Sequence, residues 1–533
     1  MMKLKISNFF LFLIFLFSTI YIREILFLFY NSTESPDFDK YYDYIEYFYG
    51  SKISTGRDQG LLYYYLQAQY LSLFSNSISE SNLSIYLSRS VQDINLVFHL
   101  IGLTGIYKLF KLFSFNKVSI FTSLIFLNFF PLSISNRITF KPEILAFAFL
   151  PWIIYCFECY KSEKSVKYIY FSIPLIVSTI TSKGSILGMV GLFLFITYFK
   201  QIFNFSRKQL ISTFLIFLTL LFLVSFEDIN SNDVSLLDVT HDEKYNNRAN
   251  IRDIYNINFV KLIKSPIRDN HAGSMPALTL LDIFGDYLNL YWDNDGTSLK
   301  NNREEVFLFK ESSKIQGPKF NTVDNTITIY FQNLTDVYFR EFIGLIFSLL
   351  YLALLIRHIY FKKKHSILVL TPIYGIVVLL IMTVAGFPVP NWDPLVGDTV
   401  KPFYYSFFIF ISIATLIATS INKKYLALVF LSFYIPASMY LIGFPKNYDQ
   451  DFTLYNFNQY SYFCNINPYL FNGLNQFDQE ICDFQEEEIK AFKNEEFLQF
   501  KNPPKFKLMN TLLIILTSLS IGNIIRSKPK LLV

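Results

Sequence analysis

Charge is scarce in this chain. Only 17% of its 533 residues are Asp, Glu, Lys or Arg, where an average soluble domain carries about 25%, and whole stretches of about 20 residues carry none. That shortage excludes an ordinary soluble enzyme of this size. Four cysteines over the whole length exclude a small disulfide scaffold. The five histidines and four cysteines show no metal-ligand spacing, and neither a P-loop nor a dinucleotide fingerprint occurs. Nothing points to a nucleic-acid partner. Apolar residues are abundant instead: 52% of the chain is hydrophobic, with 60 Phe and 37 Tyr, which excludes disorder. An AT-rich genome also raises Phe, Tyr, Ile, Asn and Lys, so aromatic richness by itself is no sign of a ligand site. The chain reads as an all-α polytopic membrane protein with large outer-face loops and interfacial amphipathic helices.

Apolar runs of membrane length give about twelve transmembrane helices, near 6–30, 91–110, 118–135, 143–160, 168–183, 184–200, 209–226, 341–360, 366–386, 402–421, 425–444 and 508–526. The first follows Lys3 and Lys5 like a signal peptide, but it is long and lacks a small-residue cleavage site, so it reads as a retained helix. With the N-terminus in the cytoplasm, the basic turns all fall inside. They hold Lys108, Lys111 and Lys117; Lys161, Lys164 and Lys167; Lys200, Arg207 and Lys208; Arg357 and Lys362 to Lys364; Lys423 and Lys424; and Arg526, Lys528 and Lys530. Both termini are then cytoplasmic, and nearly all Asp and Glu fall in outer segments 31–90, 227–340 and 445–507. The stretch Gly60–Phe74 is too short to span and is expected at the outer interface. Short inner loops without organelle signals fit a bacterial inner membrane.

This divides the chain into an N-terminal transmembrane module (1–226, with its first outer loop at 31–90), a large outer loop (227–340), C-terminal helices (341–444), an outer segment (445–507) and a last helix with a cytoplasmic tail (508–533). The mass is weighted to the outer face, where the chemistry is expected. Cys464 and Cys482 share an outer segment where a disulfide is permitted, whereas Cys156 and Cys159 read as packing residues within a helix.

Ser35-Pro36-Asp37-Phe38-Asp39 opens a helical pattern. Tyr41, Tyr44, Ile45 and Phe48 form an apolar stripe, Asp39, Asp43 and Glu46 lie opposite, and Gly50 marks the stop. Such a helix is expected flat on the membrane, aromatic face down, holding carboxylates just above the headgroups. A carboxylate there would be placed to take a proton from a hydroxyl acceptor beside a lipid-phosphate donor; an ordinary solvated acidic face has the same pattern.

Asp39-x-x-Tyr42, Gly50 and Arg57-Asp58-Gln59-Gly60-Leu61-Leu62-Tyr63-Tyr64 together resemble the first outer loop of the GT-C glycosyltransferases, although the family's prolines before the Leu-Tyr-Tyr element are absent. Ser88-Arg89-Ser90 with Gly102 and Tyr107, Asn136-Arg137 followed by Lys141-Pro142-Glu143, Thr181-Ser182-Lys183-Gly184, and Asp398-Thr399 followed by Lys401-Pro402 and Tyr404-Tyr405 resemble later turns of that family. The resemblance covers 6–226 well and 341–421 loosely. It implies a transfer of sugar from a polyprenyl-phosphate donor to a lipid, glycan or protein acceptor on the outer, periplasmic face of the cell envelope.

Its logic needs one carboxylate base and cations for the departing lipid phosphate. Asp39 matches the base, with Asp37 a competitor; Asp37-x-Asp39 is also a pattern that elsewhere holds a divalent cation such as Mg or Mn. Arg137, Lys141, Lys183 and Lys401 are the candidate phosphate contacts, each at the outer end of a helix where a buried cation wants an anion but where basic side chains also snorkel to headgroups. Arg137 has a structural alternative in pairing with Glu143. Tyr42, Asp58 and His271 are candidate substrate contacts, Asp58 also suiting a turn and His271 the surface. Asp282 and Asp286 with Trp292 fit an acidic-aromatic sugar platform or plain packing. Two other classes compete. A polysaccharide polymerase or ligase would lean on outer-loop arginines such as Arg248, Arg252 and Arg268. A transporter or flippase should show inverted repeats and midplane charges, and the sequence shows neither.

Overall fold

The computed structural model describes residues 8–29, 32–34, 38–50, 59–79, 82–203, 205–229, 251–264, 266, 271, 274–284, 334–361, 365–384, 400–420, 500 and 502–527. Helix α1 (Asn8–Phe29) leads through a 3-10 turn (Ser32–Glu34) to α2 (Phe38–Tyr49) and α3 (Leu61–Ser72). Next come α4 (Leu83–Leu112), α5 (Lys117–Phe129), α6 (Pro131–Ile138), α7 (Glu143–Glu163), α8 (Lys167–Ile180), α9 (Gly184–Phe203) and α10 (Arg207–Ile229). A 3-10 turn (Ile251–Ile254) precedes α11 (Phe259–Lys264), α12 (Met275–Phe284), α13 (Leu334–Tyr360), α14 (Ser366–Val369) and α15 (Thr371–Val384). A last 3-10 turn (Pro402–Tyr405) runs straight into α16 (Ser406–Ser420), and α17 (Leu508–Arg526) closes the series. No strand occurs among the described residues; an isolated antiparallel bridge joins Gln59 to Lys183.

Among the described residues eight helices are long and apolar enough to cross a membrane, or nine if α5 and α6, bent by 56° to each other, make one crossing. The protein is therefore a polytopic membrane protein, all-helical among the described residues. Eight of the twelve expected runs are such helices outright, and the run at 118–135 is the bent pair. The runs at 168–183 and 366–386 are shorter than expected. A turn at Leu370 opens α15 and turns bound α8 at both ends, and each is a 14-residue helix, about 21 Å long at 1.5 Å per residue. The run at 425–444 lies outside the described residues.

Helix α7 forms the centre: every residue from Glu143 to Tyr160 is buried, so its surroundings are protein on all sides. Cys156 and Cys159 sit within it as free, buried thiols, in the packing role expected; Cys464 and Cys482 lie outside the described residues. Helix α4 approaches α7 closely because Gly102 presents no side chain, and a Cβ there would stand 2.6 Å from the Phe147 ring. Small residues at a crossing let membrane helices meet backbone to backbone. At the other extreme, α10 exposes Ile211, Phe214, Leu215, Phe222 and Phe226, an apolar surface suited to lipid.

The break between α5 and α6 is written in the sequence. Asn116 caps the start of α5, its side chain accepting from Ser119 N at 2.8 Å. Phe130 is extended, and Pro131 opens α6, since proline suits a first turn and cannot continue a helix. The far end of α6 is held from α4. The buried Asn95 side-chain amide donates to the carbonyls of Asn136, Arg137 and Thr139 at 3.1, 3.2 and 2.9 Å, and its oxygen accepts from the Tyr63 hydroxyl at 2.8 Å. Burial pushes the Tyr63 phenol far above its ordinary range, so it remains a donor at any physiological pH.

Helix α2 begins and ends where its pattern requires, Gly50 adopting a positive φ of 123° just beyond it. Its surroundings differ from expectation. Tyr41, Tyr44, Ile45 and Phe48 are buried by protein, and so are Tyr42 and Tyr47. Tyr64, Tyr65, Phe140 and Phe500 cover the helix, so the aromatic face is not laid on lipid. Aromatic faces shared between protein elements gain ring–ring contacts beyond simple area burial, which a lipid surface would not offer.

The turns sort into two groups. Lys108 Nζ donates to Ile525 O at 2.7 Å, His365 meets the rings of Phe113 (edge-on) and Phe115, and Tyr160 meets Phe205; all of these belong to the basic turns. The turns at 59–60, 139–143, 181–183, 401–405 and 500–507 gather with α2 at the other end of the bundle.

Candidate functional site

Four turns far apart in sequence meet at that second end. Gly60 N donates to Ser182 O at 2.9 Å, docking the extended segment at 59–60 onto the turn between α8 and α9. Only glycine permits the approach, because a Cβ at Gly60 would lie 1.8 Å from the Thr181 carbonyl oxygen. The buried Gln59 side chain accepts from the Tyr64 hydroxyl, which ties the docked segment back to α3.

The docked turn carries Lys183, whose Nζ lies 2.7 Å from Glu143 Oε1. Glu143 is the first residue of α7, where the positive end of the helix dipole favours a carboxylate. It is buried, and its Oε2 has no hydrogen-bond partner among the described residues. The Lys183 ammonium also stands 4.6 Å from the centre of the Tyr404 ring. Lys141, itself buried, approaches the same ring from the turn before α7, at 5.9 Å, with Phe403 at 5.7 Å and Tyr41 at 6.0 Å. A ring face supports an ammonium by ~0.5–2 kcal/mol and cancels none of its charge. Lys401 precedes the Pro402–Tyr405 turn that presents both rings, and Tyr404 N donates to its carbonyl at 3.0 Å.

Among the described residues the structure thus brings together Lys141 and Lys183, two of the four expected phosphate contacts, with the Glu143 carboxylate and the aromatic wall of the turn that follows Lys401. Tyr41 connects this wall to α2, in which Asp39 is the second residue. The side chain of Asp39 lies outside the described residues, as do Asp37 and Asp58 entirely. Among the described residues no three His, Cys, Asp or Glu side chains gather as metal ligands.

Arg137 is placed differently. Its guanidinium turns into the helix break, Nη2 donating to Asn128 O at 2.7 Å and Nε lying 3.4 Å from Ser133 O. Asn128 O, at the end of α5, is a carbonyl that the break releases from helical pairing. The expected structural alternative, a pair with Glu143, is taken by Lys183. Tyr42 is buried between Phe38 and Phe500 at 5.9 and 6.4 Å. His271 is buried rather than on the surface, in the turn before α12, where Ser274 N donates to its carbonyl at 2.8 Å. Asp282 is buried within α12, while Asp286 and Trp292 lie outside the described residues.

Three features of the site escape sequence reading. Glu143 as the partner of Lys183 is masked by the nearer Arg137. Gln59 looks like any turn residue, and Asn95 is a lone amide in an apolar helix. Only the placing of Gly60 beside a charged turn hints at a close approach. Comparisons with protein-family models, with curated proteins and with solved structures give no match.

Proposed function

We propose that the protein is a membrane glycosyltransferase that moves a sugar from a polyprenyl-phosphate donor to a lipid, glycan or protein acceptor at the face formed by these turns. In this reading the Asp39 carboxylate takes the proton of an acceptor hydroxyl. The freed oxygen attacks the anomeric carbon, the bond from that carbon to the phosphate oxygen breaks, and the lipid phosphate departs with its electron pair. Lys141 and Lys183 stabilise the charge that develops on the leaving phosphate, and fixed charges aimed at developing charge are the strongest aid to reaction that such a site can offer. Tyr404 and Phe403 keep the two ammonium groups apart from the bilayer and aimed at one place. The outer-face sidedness follows from the charge of the turns at the opposite end.

The observation that carries the reading is the meeting of Lys141 and Lys183 on the single ring of Tyr404, from turns that separately resemble those of a lipid-phosphate transferase. Its test is a mass-spectrometric profile of surface glycans and glycolipids in a deletion strain. The strain is complemented with wild type, Asp39→Asn or Lys141→Gln at matched membrane levels. A specific sugar that only wild type restores supports transfer and both roles. Full restoration by Asp39→Asn rejects the base, and an unchanged profile in the deletion strain rejects the transferase.

A further inference from the structure

A short basic-aromatic element outside the candidate site turns an apolar face outward. Helix α11 and the turn before it expose Tyr255, Phe259, Val260 and Ile263, with relative exposures of 70, 56, 63 and 51%. This is not a loose segment. Asn258 caps α11 by accepting from Lys261 N at 3.0 Å, and the Ser274 hydroxyl donates to Asn256 O, tying the segment to the start of α12. Leu262 is 1% exposed and packs with Ala277, Leu280 and Leu281 of α12 and with Leu345 of α13.

That anchor also fixes the depth of the element. Leu345 lies one turn inside the apolar run of α13, which begins at Glu341, so α11 rests at the level where that helix enters the membrane. At 100° per residue, Phe259, Val260 and Ile263 share one face, Leu262 points to one flank towards the protein, Lys264 falls at the opposite edge and Lys261 on the far side. Arg252, Lys261 and Lys264 are set against a single acid, Asp253, in the segment 251–264. Apolar residues on one face with basic residues at its edge is the arrangement that binds in the plane of an anionic lipid surface.

We infer that α11 is an interfacial foot: its Phe259–Val260–Ile263 face enters the headgroup boundary, and Lys264 at the edge of that face selects anionic lipid headgroups around it. The inference stands apart from the transfer chemistry and from any choice of substrate. The lipid is the occupant favoured over a second copy of the chain because the face continues the apolar surface of α13, where Ile346, Leu349 and Leu350 are also exposed, and because the charges complement an acid headgroup rather than a like-charged copy.

The test uses the full chain in nanodiscs of phosphatidylcholine, or of phosphatidylcholine with phosphatidylglycerol, with either lipid brominated high on its acyl chains. Phe259→Trp, Val260→Trp and Lys261→Trp are compared with the parent, whose tryptophan background of three residues is subtracted. Added tryptophans at 259 and 260 are expected to emit blue-shifted and to be quenched by brominated lipid, whereas the one at 261 emits as in water. Brominated phosphatidylglycerol should quench more than brominated phosphatidylcholine at equal mole fraction, and Lys264→Gln should cut that preference by about fivefold, the equivalent of ~1 kcal/mol. Equal quenching at 259, 260 and 261 overturns the orientation, and equal quenching by the two lipids overturns the headgroup selection. Unquenched emission at 259 and 260 with a dimer in native mass spectrometry assigns the face to a second copy, and the same emission from a monomer assigns it to water; both overturn the foot.

Discussion

Lys183 and Glu143 make a pair whose structural and functional roles can be separated. A largely buried ion pair that loses one member strands the other charge, at a cost of about 3–5 kcal/mol, while replacing both members by apolar residues is often neutral. Lys183→Met is therefore expected to unfold earlier on heating. Lys183→Met with Glu143→Leu should regain most of that loss in a thermal unfolding series in detergent. If Lys183 also bears on a leaving phosphate, the restored double variant stays inactive, with a rate lower by about 10²-fold; recovery of activity along with stability would leave the pair a purely structural device. Gly60 supports a second prediction. Adding one methyl group at a place that lies 1.8 Å from Thr181 O forces two turns apart, so Gly60→Ala should cost about 1–3 kcal/mol and lower activity beyond what the stability loss explains. Lys183 and Gly60 are readable as candidates because each is the one charge or the one glycine in its turn. Which candidates touch is not readable, since no local pattern states that the turn before α3 docks on the turn after α8.

The elements show the same division between what periodicity tells and what it leaves open. The stripe of Tyr41, Tyr44, Ile45 and Phe48 announces α2 and its amphipathic face, and Gly50 announces its end. A stripe says that a face is apolar; it does not say whether lipid, a neighbouring helix or an extended segment from the other end of the chain will cover it. Here the cover includes Phe500, and Lys507 donates to the Tyr47 hydroxyl at 2.6 Å, contacts that span most of the chain length. Helix α6 is legible as a break, through Phe130-Pro131, but not as a clamped one. Asn95 satisfies three carbonyls at once, and a buried acceptor left without its donor costs about 1–3 kcal/mol. Asn95→Leu should thus destabilise the protein by at least that amount. Tyr63→Phe, which leaves the amide donors in place and removes only the donor to Asn95 Oδ1, should cost less. The two variants ranked by thermal unfolding, together with proteolysis at the turn after α6, test the clamp; equal and negligible losses would mean that the carbonyls find water instead.

At the scale of the whole molecule, the charge rule and the packing bear on each other although they rest on different physics. The rule sorts turns by lysine and arginine content, because cations are retained on the cytoplasmic face during insertion. The packing sorts them by which turns touch, and it groups Lys108 with the end of α17 and the 113–115 turn with His365, all on the basic side. The candidate site lies wholly among the other turns. The number of crossings is less legible than the grouping of the turns. Hydrophobic length alone does not set the length of a helix packed inside the bundle: α8, buried against α7, joins the basic turn at 164–166 to the turn at 181–183 with only 14 residues. The sidedness can be tested directly in a cysteine-free background. Single cysteines at Ser165 and Ser206, in turns of the basic group, are expected to react with a membrane-impermeant maleimide only after the membrane is opened. One at Ser75, beyond α3, should react in intact cells. Labelling of Ser165 and Ser206 in intact cells, with Ser75 labelled only after permeabilisation, would place Lys141 and Lys183 on the cytoplasmic side. A donor carrying its sugar on the outer face could not then reach them, and the transferase reading would have to draw its sugar from the cytoplasm.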